Sequence, residues 1–188
     1  AHFRGFAFQG AIGRFPAGAD TEPGAGGLMG FGEMLPHFDN RITLSKRVKD
    51  AWGIPAPHIR CAVTANERRL AAAQLRAVRD MLEATGFQVE FSGSSTGLDS
   101  KHVWPDKSMF TRLVFRLGFP LSLSVGASIH ECGGARMGVD PKQSVVNPHN
   151  ECWDVPGLFV TDGACFASGG SVGPALTIMA VSARAAEF

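Results

Sequence analysis

The stretch GLFVTDGACFASGGSVGPALTIMAVSARAAEF, Gly157–Phe188, constrains the fold more than any other part of the chain. Its apolar run Leu158–Val160 ends in Asp162 and Gly163, as a short strand does, and small residues fill the interval to Gly173. From Pro174 the pattern is helical, with proline at the first position, where its missing N–H costs nothing. Strand, glycine-rich loop and helix start aim several backbone N–H groups and the positive helix end at one place. Such a place suits an anion or an electron-rich ring edge. The same order also makes an ordinary strand-to-helix turn, and the local pattern alone does not choose between them.

A second unusual stretch is SIHECGGARMG, Ser128–Gly138. A histidine titrates near neutrality and can serve as a general base. Gly133, Gly134 and Gly138 let the backbone approach a ligand closely, and Arg136 offers a fork of donors to brace the loop. A hydrogen-bonded core histidine is the alternative for His130. His130, Cys132, His149 and Cys152 are also four zinc-type ligands. Their H-x-C and H-x2-C spacing matches no common zinc knuckle, so no metal is expected. Cys132 and Cys165 are expected to be small buried residues, because a nucleophilic thiol needs a nearby base and a depressed pKa.

Elsewhere the patterns are simpler. HFRGFAFQGAIGRF enters a strand with no turn before it, so the chain is expected to be a fragment of a larger protein. AGADTEPGAGG (Ala17–Gly27) reads as a loop; NRITLS (Asn40–Ser45) reads as a half-buried strand, and WGIPAPHIRCAV (Trp52–Val63), with two prolines, as a turn leading into another strand, the two pairing antiparallel. Thr64 and Glu67 have capping-box spacing, Leu75, Val78 and Leu82 share a face, and Gly86 supplies a stop, which predicts a helix from about Ala65 to Thr85. FQVEF (Phe87–Phe91) alternates as a strand, and Ser92–Val125 carries no clean period.

With 18 Lys and Arg against 17 acids and no basic block, nucleic acid and anionic membrane surfaces are excluded as expected partners, and small neutral molecules fit better. Apolar runs such as Leu117–Ile129 are broken by Gly118, Pro120 and Gly126, so no membrane span is expected. Four cysteines are too few for a disulfide scaffold, which suits a reducing compartment and a cytoplasmic location.

GEMLPHFDNRITLS, DAWGIPAPHI and the whole segment from HECGGARMG to the C-terminus resemble the C-terminal part of glucose-methanol-choline (GMC) flavin oxidoreductases. The likeness is greatest to the bacterial branch holding gluconate or sorbitol dehydrogenases and sugar or glucoside oxidases. The resemblance implies an α+β fragment. Residues 1–129 form most of an antiparallel-sheet substrate domain with flanking helices; residues 130–188 form the histidine loop and the last strand and helix of a Rossmann-like FAD-binding domain. It implies FAD as cofactor and oxidation of an alcohol carbon to a carbonyl, on a sugar or glycoside, with His130 as base and hydride passing to flavin N5. Asp162 and Gly163 match the family's approach to the FAD diphosphate and ribityl chain, and Gly173, Pro174, Ala175 and Leu176 match the helix start that meets the flavin ring. Two positions depart from the family: Gly173 stands where asparagine or histidine is usual, and Ala175 where threonine is usual. Glycine as N-cap costs a helix only a few tenths of a kcal/mol relative to asparagine, but it removes a polar group from the chemistry. A non-catalytic or remodelled flavoprotein subunit is therefore the alternative. The dinucleotide fingerprint G-x-G-x-x-G is missing; GAGGLM and GFGEML are near misses outside a strand-turn-helix setting. The implied partner is an N-terminal FAD-binding segment or chain that carries it.

Overall fold

The structure, a computed structural model, describes residues 1, 4–13, 24–89, 92–94, 97–98, 108–122, 125–126 and 129–188. They fall into two compact units, one of Ala1–Glu33 with Ala65–Ala127, the other of Met34–Thr64 with Ser128–Phe188.

In the first unit, β1 (Phe6–Gly13) and β2 (Ala25–Gly32) pair antiparallel, with Phe6 opposite Gly32. The loop expected over Ala17–Gly27 is thus partly strand: Ala25–Gly27 pair with Gly13–Ala11, and residues 14–23 lie outside those described. The predicted helix forms as α1 (Ala65–Ala84). Its buried anchor, Leu70, packs at Gly32 of β2, where an added Cβ would come within 2.8 Å of the leucine Cδ2. The stop works as expected. Gly86 takes φ +86°, its N–H bonds the Glu83 carbonyl at 3.0 Å, and the Phe87 N–H bonds the Leu82 carbonyl at 3.0 Å, closing a Schellman motif.

That cap explains a correction. Phe87–Val89 form no strand, because the Phe87 N–H is committed to the helix end; residues 90–91 lie outside those described. The strands that follow, β5 (Gly93–Ser94) and β6 (Gly97–Leu98), are minimal. A further helix, α2 (Met109–Ser122), arises where no period was read. Phe110, Leu113, Val114 and Leu117 do recur at helical spacing, but β-branched and aromatic neighbours with Gly118 and Pro120 mask it. All four are more than half exposed.

In the second unit, β3 (Arg41–Lys49) and β4 (Pro55–Arg60) form the expected antiparallel hairpin. Asp50 Oδ1 accepts from the N–H groups of Trp52 and Ile54 at 2.9 Å and closes the turn. Asn40 extends the ladder with its side chain, donating to the Ala62 carbonyl and accepting from the Ala62 N–H. Ile42 and Leu44 are exposed rather than half-buried, as is Ile59 opposite Ile42. Within the second unit the tip of Ile42 reaches the histidine loop at Gly134.

The apolar run at Leu158–Val160 also departs from expectation. It forms an isolated bridge, Phe159 to Glu151, not an extended strand. Asn150, fully buried at φ +72°, organises the segment instead. Its Nδ2 donates to the Val160 carbonyl at 2.8 Å, its own carbonyl accepts from Val160 N–H at 2.9 Å, and its Oδ1 accepts from Arg184 at 3.2 Å. Arg184 lies in the last turn of α3 (Ala175–Glu187), whose apolar Ala185 is buried. Asn150→Ala is expected to cost about 3 kcal/mol, since it strands buried polar partners and puts alanine in a left-handed conformation. Asn150→Gly, which keeps the backbone easy, is expected to cost less. Chemical denaturation of the full-length protein measures both.

Candidate active site

A short 3₁₀ turn, Gly163–Cys165, lies at the centre of the second unit's polar loops, and Asp162 caps it by accepting from the Ala164 N–H at 2.8 Å. The histidine loop runs along this turn. Gly133, Ala135 and Met137 donate their N–H groups in order to the carbonyls of Gly163, Ala164 and Cys165, at 3.2, 2.9 and 2.7 Å. A side chain on Gly163 would meet the Glu131 carbonyl at 3.0 Å and Cys132 Sγ at 3.5 Å, so glycine permits the close approach. Arg136 braces the loop from the other side: its Nε donates to the Gln143 carbonyl at 2.8 Å and its own carbonyl accepts from Val145 N–H. Gly134 abuts Ile42 of β3.

His130 sits at the start of this loop, exposed, at φ +83°. A non-glycine residue held there costs about 1–2 kcal/mol. Its imidazole faces Gly173. A Cβ built on Gly173 would meet Cε1 and Nε2 of His130, both at 3.9 Å. Two positions far apart in sequence thus meet at the start of α3. The helix cap is Pro174, one residue later than the expected Gly173; it takes αR geometry and supplies no side-chain cap. At this end the Ile178 N–H donates to the Pro174 carbonyl at 2.9 Å. The N–H groups of Ala175, Leu176 and Thr177 precede it and point out of the helix end.

The predicted site residues therefore form two neighbouring groups: His130 with Gly173, Pro174, Ala175 and Leu176, and Asp162 with Gly163 beneath the histidine loop. Asn150 and Arg184, which hold this frame, were missed by the sequence reading; Asn in a loop, tolerant of left-handed φ, was the available signal. Among the described residues no three His, Cys, Asp or Glu side chains gather as a metal site. His149 stacks on Phe188 with ring centroids 3.9 Å apart.

Residues 36–182 match the family GMC oxidoreductase. The chain belongs to the GMC oxidoreductase family. It is similar to 2-methyl-1,2-propanediol dehydrogenase of Mycolicibacterium austroafricanum, 30% identical over 84% of this chain and 24% of that protein. It is similar to the fructose dehydrogenase large subunit of Gluconobacter japonicus, 32% identical over 82% of this chain and 23% of that protein. A shorter match, 37% identical over 35% of this chain and 11% of the other, is to the gluconate 2-dehydrogenase flavoprotein of Pantoea cypripedii. The chain spans about a quarter of the length of the first two relatives.

Within this GMC chain the thiols of Cys132, on the histidine loop, and Cys165, in the 3₁₀ turn, are not set up as nucleophiles. Burial pushes Cys132 above the ordinary 9.0, and Glu131, Cys165 and Asp162 add to the rise. Burial also pushes Cys165 up, against a lowering hydrogen bond from Asn150. Both stay protonated in the folded protein at pH values where the unfolded chain ionises. The stability they contribute is thus complete below pH 9.0 and lost as pH rises from there through the raised folded values. A Cys132→Ser, Cys165→Ala double variant of the full-length protein is expected to show a shallower fall in Tm above about pH 9 than the parent.

Proposed function

We propose that this chain is the C-terminal part of an FAD-dependent enzyme that oxidises an alcohol carbon of a sugar or glycoside to a carbonyl, with His130 as general base. The observation that carries it is the His130 imidazole facing Gly173 at an uncapped helix start. The names of the relatives, which cite a diol, fructose and gluconate, favour a hydroxylated substrate. Family membership and the flavoprotein relative favour a flavin.

The residues at the helix start fit such a group. The N–H groups of Ala175, Leu176 and Thr177 suit an electron-rich ring edge, and the exposed Val172 and Leu176 offer apolar contact to a flat ring. Asp162 is exposed and suits the hydroxyls of a ribityl chain, while Gly163 beside it lets the histidine loop pack close. In this reading the flavin, when bound, supplies the acceptor for the hydride. His130 does the proton work: Nε2 accepts the hydroxyl proton, which requires the tautomer protonated at Nδ1. Residues 130–188 would then complete a Rossmann-like FAD domain and residues 1–129 most of a substrate domain.

The exposed apolar faces support a missing partner. Ile42, Leu44 and Ile59 on the hairpin and Leu176 and Met179 on α3 are all open. An N-terminal FAD-binding segment would cover them. Expressed as separate chains, the two are expected to copurify; a 188-residue chain that folded cooperatively alone and ignored the other would refute this.

Gly173 favours one second reading, a flavoprotein of the same fold that no longer oxidises alcohols. Flavin absorbance separates the two, because bleaching on addition of a sugar or alcohol supports the enzyme. In full-length protein, His130→Ala is expected to retain flavin while slowing its reduction about 100- to 10,000-fold by rapid mixing. A variant as fast as the parent would remove His130 from the mechanism.

A further inference from the structure

Cys132 follows His130 by two residues, and its side chain lies where two loops of the second unit approach each other. Its Sγ is 3.5 Å from the place a Cβ on Gly163 would take and 3.5 Å from the place one on Gly169 would take, and its own Cβ is 3.7 Å from the latter. Gly163 opens the 3₁₀ turn beneath the histidine loop, and Gly169 belongs to the glycine-rich loop that leads on to Gly173. Ile178 of α3 reaches the same place at Gly163, with its Cδ1 at 3.6 Å. The half-buried thiol thus packs between the two loops at ordinary van der Waals distance.

These contacts close a circuit. One limb runs from Cys132 back through Glu131 to His130, the other from Gly169 forward to Gly173, and the limbs meet again where the His130 imidazole faces Gly173. The backbone bonds that pin the histidine loop to the turn start at Gly133, on the far side of Cys132 from His130. His130 holds φ +83°, and a residue in such a conformation stays there only while its surroundings fix it. Narrowing or widening the gap at Cys132 lets that backbone relax and shifts the imidazole at the opposite corner. A shift of about 1 Å at a reacting group costs on the order of 100-fold in rate. Burial pushes the thiol's pKa up, so it fills the gap as an uncharged, small apolar group.

We infer that Cys132 is a positioning residue. Resting on the His130 reading above, its side chain spaces the histidine loop from the glycine-rich loop and so sets where the base stands at the start of α3.

The test is a double-variant cycle on full-length, flavin-loaded protein, with flavin reduction followed by rapid mixing against the sugar or diol that reduces the parent fastest. Cys132→Ala is expected to slow reduction at saturating substrate about 10- to 100-fold, with flavin content and the half-saturating substrate concentration little changed. Cys132→Ser, which keeps most of the side chain's reach, should restore most of the rate. In His130→Ala, adding Cys132→Ala should slow reduction no further, because a residue that acts through the base then has nothing left to position. A thiol that serves the fold alone would slow both backgrounds alike, and that result overturns the inference. An unchanged rate in Cys132→Ala beside a slow His130→Ala also overturns it and leaves the proposed function standing. If Cys132→Ala does not yield flavin-loaded protein, Cys132→Val, which refills the gap with one methyl to spare, goes through the same cycle with the same expected and overturning results. If His130→Ala is as fast as the parent, or no sugar or diol reduces the flavin, the proposed function falls and the inference falls with it.

Discussion

The side chain of Asn150 is the tie on which the second unit's arrangement depends. It is fully buried, and it spans three pieces of chain: its own loop, the Val160 segment leading to Asp162, and the last turn of α3 through Arg184. A buried amide is stable only when its donors and acceptors are met, so each of these pieces is held where the others require it. The 3₁₀ turn follows directly from the Val160 segment, and the histidine loop hangs on that turn by three backbone bonds. The far end of α3 is fixed by the same residue, and the near end carries Gly173. One polar residue thus ties together the histidine loop and the helix whose start it faces. Ser182 reinforces the link, donating from α3 to the Thr161 carbonyl at 2.6 Å.

What could be read beforehand was what local chemistry decides. The limits of α1 followed from Thr64, Glu67 and Gly86, and the β3–β4 hairpin from alternation and its prolines, because caps, turns and two-residue periods are written in neighbouring residues. Family resemblance supplied the histidine and the helix start. The misses share a cause. Phe87–Val89 alternates as a strand should, but the helix cap takes its first N–H, and α2 was hidden by residues that favour strands. Leu158–Val160 has the composition of a strand, yet its backbone partners are a single bridge and an asparagine side chain. At Phe87 and at Leu158–Val160 a partner committed elsewhere or distant in sequence outweighed the local preference.

The apolar residues left open follow a consistent pattern. Leu70, Val146, Cys165 and Ala185 are the buried apolar residues among those described, whereas large side chains on β3, β4, α2 and α3 lie in solvent. These elements have the amphipathic or strand character that normally faces a second layer. A chain matching about a quarter of its relatives' length would carry such faces.

The left-handed backbone at His130 adds a different consequence. Glycine occupies that conformation freely, whereas histidine holds it at a cost. Mutation toward glycine therefore runs downhill in folding energy, and drift alone would erode this position toward a more stable and silent loop. Under the proposed reading, the work of the base would have to hold histidine there against that slope.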